Sequence, residues 1–268
     1  MQLTQSNVDR IITILISATE KILSVYSSKD FNVRIKEDKS PLTEADILSH
    51  NIVVEGLSKI FGKIPILSEE SKEIPFAERK RWDYFWLVDP LDGTKEFIQK
   101  NNEFTINIAL IKGNKPVSGF IMAPVSGEIY FGLKNKGAFL RSKDEKIIPI
   151  SARSQITDKI FITRSRSHSG DKEEKVLKSL GDTEDLHVGS SLKFCYLAKG
   201  KADIYFRSGP TMEWDTAAGQ ALAEAAGAKM VDLEAKDFLY NKESLRNPGF
   251  LCSANSELID KIINLLQD

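Results

Sequence analysis

The chain has 268 residues, 41% of them hydrophobic, and sets 37 Lys and Arg against 38 Asp and Glu for a net charge of −1. That balance gives no electrostatic reason to expect a nucleic-acid polymer as partner and points to small ligands. No apolar run approaches the ~18 residues of a membrane span, and no basic, apolar and cleavable leader opens the sequence, so it reads as cytoplasmic with no integral membrane association.

Apolar residues at Val8, Ile11, Ile12, Leu15, Ile16, Ile22 and Leu23 recur at helical spacing and predict an amphipathic helix over 7–27, with Ser6 as its cap. A polar, basic stretch over 36–40 precedes the acids of Thr43-Glu-Ala-Asp46, and a second helix is expected over 46–60. Residues 64–71 read as a short strand running straight into Glu69 and Glu70; strand alternation would point Glu70 away from Glu69. Residues 84–88 are aromatic and apolar enough for a buried strand, which Pro90 should end at Asp89. Strand-like runs follow at 105–111, 116–123, 129–133 and 136–141, with turns at Gly113, Gly127 and Gly137, and together predict an antiparallel sheet. After a polar hinge near 151–158 the pattern alternates: strand 159–163, helix 172–180, strand 185–187, helix 192–198, strand 202–206 and helix 216–226. The chain thus divides into an N-terminal α+β lobe, 1–150, and a C-terminal α/β lobe, 151–268. Cys195 and Cys252 are far apart and outside any CxxC pair, so both read as packed thiols.

The chemistry is densest in Trp86-Leu-Val-Asp-Pro-Leu-Asp-Gly-Thr-Lys-Glu-Phe97. Asp89, Asp92 and the Leu91 carbonyl offer three hard oxygen ligands to divalent cations. Gly93 lets a ligand approach the backbone, and Thr94 is placed to cap a short helix through Phe97 whose amides face a phosphate oxygen. Alone, such a turn is also what a solvated acidic cap looks like. Two further acidic segments change the balance: Glu69 at the end of its strand, and Asp215 in Glu213-Trp-Asp215. Two carboxylates ~4 Å apart repel by about 4 kcal/mol at an effective dielectric of ~20. A cluster of Glu69, Asp89, Asp92 and Asp215 would therefore raise its own pKa values or recruit metal. Oxygen-only donors without nearby Cys or His favour Mg²⁺ over Zn²⁺.

Four motifs in order, Pro41-Leu-Thr-Glu-Ala-Asp46, Ser68-Glu-Glu-Ser71, the 89–94 turn and Glu213-Trp-Asp-Thr-Ala-Ala-Gly219, resemble the inositol monophosphatase superfamily of lithium-sensitive phosphatases. Lys95-Glu-Phe97, Glu103-Phe-Thr-Ile-Asn107, Arg166-Ser-His168, Ser190-Ser-Leu-Lys-Phe-Cys195 and Gly209-Pro-Thr-Met-Glu213 resemble its bacterial 3′(2′),5′-bisphosphate nucleotidase branch. The resemblance implies an α/β (α+β) fold, a layered α-β-α-β-α sandwich, whose site lies where the lobes meet. It implies two or three Mg²⁺ ions: one on Glu69, Asp89 and the Leu91 carbonyl, and a second on Asp89, Asp92 and Asp215. Asp46 and Thr94 resemble the pair that orients and deprotonates the attacking water; as plain structure they would be a helix cap and a turn hydroxyl. Glu69, Leu91, Asp92, Gly93, Thr94 and Asp215 would surround the cleaved phosphate. His168, Ser190, Lys193 and Arg207 resemble positions that contact the adenosine and its second phosphate, and Lys193 and Arg207 suit that task as cationic donors.

The implied reaction is hydrolysis of adenosine 3′,5′-bisphosphate to AMP and phosphate, which clears a by-product of sulfate assimilation. An inositol or sugar-phosphate phosphatase and an inactive nucleotide-binding regulator stand as alternatives. The resemblance also leaves room for peripheral association with the cytoplasmic face of the inner membrane, and for a homodimer.

Overall fold

The computed structural model describes residues 1–28, 31–36, 41–156, 159–165 and 171–267. In chain order its first half holds α1 (Gln5–Tyr26), β1 (Arg34–Ile35), β2 (Pro41–Leu42), α2 (Glu44–Phe61), β3 (Ile66–Ser68), α3 (Phe76–Arg79), β4 (Tyr84–Asp92) and α4 (Thr94–Ile98). Then come β5 (Thr105–Lys112), β6 (Lys115–Ala123), β7 (Glu128–Leu133), β8 (Gly137–Arg141) and β9 (Ile147–Ile150). The second half runs β10 (Ile160–Arg164), α5 (Asp171–Lys178), β11 (Thr183–His187), α6 (Leu192–Ala198), β12 (Ile204–Arg207) and β13 (Thr211–Met212). It ends with α7 (Glu213–Ala225), β14 (Lys229–Val231), β15 (Arg246–Asn247), β16 (Phe250–Ser253) and α8 (Ser256–Gln267).

Side-chain alternation along the central strands sets the layers. In β4, Trp86 and Val88 point into a core shared with α1 and α2, while Phe85 and Leu87 point into a second core with α6 and α7. In the second half, Tyr205, Phe250 and Cys252 join that same middle core. Ile204, Phe206 and Leu251 face a third one, with α5 and α8. The order α1/α2, large sheet, α6/α7, small sheet, α5/α8 is the five-layer α-β-α-β-α sandwich that the motifs imply. The large sheet runs β3-β4-β5-β6-β7-β8-β9, antiparallel except for the parallel β3–β4 edge. The small one runs β11-β10-β12-β16-β14, with β10 parallel to both β11 and β12 and β16 antiparallel to its neighbours.

A helix pressed between two sheets needs small residues, and α7 supplies them in Thr216-Ala-Ala-Gly219. A Cβ on Gly219 would come 2.1 Å from the Phe194 ring, and one on Gly119 of the facing strand 2.3 Å from the Ala218 carbonyl oxygen. Close approach, rather than backbone freedom, requires glycine at both places.

Several local expectations need correction. Thr4, not Ser6, caps α1: its hydroxyl accepts from the Asn7 amide at 3.2 Å. Strand β4 does not stop at Asp89. Pro90 and Leu91 form an irregularity, Asp89 pairing with Asn107 and Asp92 with Thr105, so the ladder absorbs one extra residue and resumes. Strands β9, β14 and β16 and helix α8 were absent from the sequence expectations.

Candidate active site

The β4 irregularity sets Asp89 opposite Asn107 and Asp92 opposite Thr105, two residues apart on β5, at the end of β4. Asp89 is buried and accepts from the Leu91 amide at 3.0 Å. Asp92 accepts from the Ser191 hydroxyl at 2.7 Å, the Asn107 amide nitrogen at 3.3 Å and the Thr105 hydroxyl at 3.4 Å. Glu69 follows β3 and is tied to β4 by its amide, which donates to the Val88 carbonyl at 3.1 Å. Its carboxylate accepts from Lys36 Nζ at 2.8 Å, and the same ammonium reaches Glu70. Glu70 therefore shares a cation with Glu69 instead of pointing away, because β3 ends at Ser68 and alternation no longer applies.

Asp215 arrives from the other half of the molecule, in the first turn of α7. Its carboxylate folds back to accept from the Met212 amide at 2.8 Å, which fixes it at the helix start. Burial, then the charges of Glu69, Asp92 and Asp215, pushes the Asp89 carboxyl well above its usual range. For Asp215 burial comes first and the Asp92 charge second, with Glu69 adding to them; the Met212 amide and Arg207 pull the other way. Glu69 is raised by burial, against the pull of Lys36. Four acids from three segments thus share one electrostatic environment. Among the described residues no three His, Cys, Asp or Glu side chains form a ready-made metal cage. Each carboxylate is turned to a protein donor: Lys36, the Leu91 amide, Ser191 or the Met212 amide.

Asp46 is both cap and neighbour of the site. Its Oδ2 accepts from the Thr43 amide at 2.7 Å and hydroxyl at 2.5 Å, while Thr94 donates its hydroxyl to Oδ1 at 3.2 Å. Burial raises its pKa, and the Thr43 hydrogen bonds oppose the rise. The Thr94 hydroxyl also lies 3.3 Å from the Leu91 carbonyl oxygen. Thr94 is the first residue of α4 rather than its cap. Gly93 is the cap, at φ 92, and no side chain closes the helix start.

Beside these acids a cavity of about 140 Å³ is lined by Asp92, Gly93, Ser190, Lys193, Arg207 and Asp215, among others. Larger hollows of about 400 Å³ near Tyr84 and 410 Å³ near Asn32 gather no comparable acids. The Ser190 hydroxyl is buried without a hydrogen-bond partner among the described residues, on a backbone at φ 46. Lys193 is buried, and its ammonium donates to the Ser190 carbonyl at 2.6 Å and the Val188 carbonyl at 3.2 Å. Burial first, with Arg207 assisting and Asp92 opposing, lowers its pKa to about 8. As placed, then, Lys193 holds the 188–190 turn from below, a role the expectation of a direct phosphate donor did not include. His168 lies outside the described residues, as does the rest of Arg166-Ser-His168.

Sequence reasoning missed the residues that orient the acids. Asn107 donates to Ser191 at 2.8 Å, and both hold Asp92; Glu103 accepts from the Gly189 amide at 2.8 Å and anchors the Ser190 turn. They lay within recognised motifs, but nothing local gave them a task.

Residues 5–268 match the model of the inositol monophosphatase family. The 3′(2′),5′-bisphosphate nucleotidase CysQ of Salmonella typhimurium is 43% identical over 236 residues, 87% of this chain and 94% of that protein. The protein of the same name from Escherichia coli K12 is 41% identical over 247 residues, covering 91% and 98%. Among solved structures, CysQ from Bacteroides thetaiotaomicron superposes with a TM-score of 0.82 at 41% identity, covering 93% of this chain and 97% of that one. An inositol monophosphatase from Thermotoga maritima gives 0.79 at 23% identity, over 98% and 97%, a likeness of fold alone.

Proposed function

This chain belongs to the inositol monophosphatase family, and we propose from that premise that it is a metal-dependent 3′(2′),5′-bisphosphate nucleotidase, hydrolysing adenosine 3′,5′-bisphosphate to AMP and phosphate. The observation that carries the reading is the convergence of Glu69, Asp89, Asp92 and Asp215 on one site, beside a cavity walled by Arg207 and Ser190.

The donor set fits Mg²⁺. It is all oxygen, and at least two of its carboxylates are so poorly compensated that the protein raises their pKa values. Glu69, Asp89 and the Leu91 carbonyl would hold one ion and Asp89, Asp92 and Asp215 another, with two or three ions in all. Bound there, Mg²⁺ neutralises phosphoryl oxygens, makes a water nucleophilic near neutral pH and stabilises the departing ester oxygen.

The chain's own residues supply the rest. Thr94 donates its hydroxyl to Asp46, so a water that donates to the Thr94 hydroxyl oxygen has its proton directed toward the Asp46 carboxylate, whose raised pKa makes it the better acceptor. The Ser190 hydroxyl, without a partner among the described residues, belongs to a residue lining the cavity and would donate to substrate. Arg207 supplies the cationic fork for the phosphate that is not cleaved. Lys193 acts on the same phosphate through the turn it holds, and His168 belongs to the same binding set. The substrate is a small nucleotide; the cytoplasm as site of action is part of this reading. Among the described residues no helix is long and apolar enough to cross a membrane.

A phosphate-release panel tests the proposal. With Mg²⁺, adenosine 3′,5′-bisphosphate should be turned over in strong preference to inositol 1-phosphate, and chelation should stop it. Preference for inositol 1-phosphate would favour the sugar-phosphatase alternative, and no Mg²⁺-dependent release from either would sink the enzyme reading.

A further inference from the structure

Glu213 stands two residues before Asp215, is 0% exposed, and takes no part in the chemistry above. Its carboxylate accepts from the Asn241 amide at 2.7 Å, the Lys242 amide at 3.0 Å and Lys242 Nζ at 2.6 Å. The Lys242 ammonium also donates to Asn247 Oδ1 at 2.9 Å. Asn247 Nδ2 in turn donates to the Met212 carbonyl at 2.9 Å and the Thr216 hydroxyl at 3.1 Å. Met212 is the residue whose amide holds the Asp215 carboxylate, so the network grips the peptide on both sides of that acid.

Its other end reaches the first half of the chain. Asn241, at φ 58, exchanges two hydrogen bonds of 2.8 Å with Arg79, accepting from the guanidinium and donating to the carbonyl. Arg79 is 3% exposed and donates through Nε to the Ile74 carbonyl at 2.9 Å. Ile74 lies in the loop that leaves Glu69. A continuous, partly buried polar path therefore runs from the segment after one acid to the helix start beneath another.

Resting on the reading of Glu69 and Asp215 as metal ligands, we propose that Arg79, Asn241, Lys242, Glu213 and Asn247 form a strut that sets the position of Asp215 relative to Glu69 before any metal arrives. Acids brought together without a cation repel, and a helix start that carries one of them is displaced unless something rigid holds it. The Glu213 charge is matched by Lys242, so the end of the strut beside Asp215 adds no unpaired negative charge to the cluster. Hydrogen-bonded groups behind the ligands set metal affinity in the same way elsewhere. These are positioning residues; none touches substrate.

Calorimetric titration of Mg²⁺ into the full chain reads the strut without turnover, with Asp215→Asn as reference for a lost ligand. Lys242→Met should bind Mg²⁺ about tenfold or more weakly, and high Mg²⁺ should restore much of its turnover. A role confined to stability would lower the melting temperature and leave Mg²⁺ affinity unchanged. Native affinity in folded Lys242→Met, with Asp215→Asn impaired, overturns the strut and leaves the ligand reading standing. Native affinity in Asp215→Asn removes the ligand reading and the strut with it. Should Lys242→Met not fold, Arg79→Lys keeps the charge and loses the planar fork; weakened Mg²⁺ binding there supports the strut, and unchanged binding overturns it.

Discussion

Helices α2 and α7 begin alike and their third residues face different surroundings. Thr43-Glu-Ala-Asp46 and Met212-Glu-Trp-Asp215 have the same spacing, and in each the aspartate folds back onto the amide of the capping residue, at 2.7 Å in one and 2.8 Å in the other. What surrounds the free oxygen differs. Asp46 meets the hydroxyl of Thr94 and a Glu69 charge that Lys36 counters, whereas Asp215 meets the charges of Asp92 and Glu69 together. Local capping chemistry delivers a carboxylate to a fixed spot at a helix start, and on the proposed reading the neighbours decide whether it handles a proton or a metal.

Isosteric substitution should separate the two most sharply. Asp215→Asn keeps the acceptor for Met212 but not the charge, so it should fold and lose at least ~1,000-fold in kcat, about 4 kcal/mol of transition-state stabilisation. Native-like release at saturating Mg²⁺ would break the assignment. Asp46→Asn should lose roughly a hundredfold in kcat, within the range for a missing general base, and retain its Mg²⁺ requirement unchanged; a shifted requirement would make Asp46 a ligand like its counterpart. Arg207, which favours the charged form of Asp215 only as the weakest of its influences, should matter for binding instead of chemistry. Arg207→Ala should raise KM for the bisphosphate about 10- to 100-fold and change KM for a sugar monophosphate little. Equal losses on both would assign Arg207 to the acid cluster. Thr94→Val removes only the hydroxyl beside Asp46 and should lower kcat about tenfold.

The smallest effect is on stability. The folded-state pKa values of Asp89 and Asp215 lie above their unfolded values, so the stability they contribute is present at low pH and lost as pH rises from about 4 through the raised values. In chelator the melting temperature should therefore fall as pH rises above about 4. Asp215→Asn should flatten that slope while Asp46→Asn changes it less. A melting temperature that rises over this range would contradict the electrostatic picture.

Much of this was legible in the chain because period and burial agreed. Helices α1 and α2 carry stripes, and β4 through β8 carry buried runs punctuated by turn glycines. Strand β16 was not: Phe250, Leu251, Cys252 and Ser253 are all buried between two helical layers, so no alternation marks them. The stripe of Leu258, Ile259, Ile262 and Ile263 in α8 has helical spacing and is legible in the sequence. In the site, Pro90 announced the turn that carries Asp89 and Asp92, but it did not announce that the ladder resumes at Asp92. The partners of the acids were illegible for a simpler reason. Lys36 meets Glu69 across 33 residues, and Asn107 meets Ser191 across 84. The Lys193 side chain looked like a phosphate donor by charge, and only the fold reveals the two carbonyls that occupy it.

The most direct test of two like caps with unlike tasks is Mg²⁺ titration calorimetry on Asp46→Asn and Asp215→Asn side by side. The account predicts that Asp46→Asn, though nearly inactive, binds Mg²⁺ as the native chain does, while Asp215→Asn loses at least one ion or most of its affinity. Equal loss in both variants, or native binding in both, would contradict it.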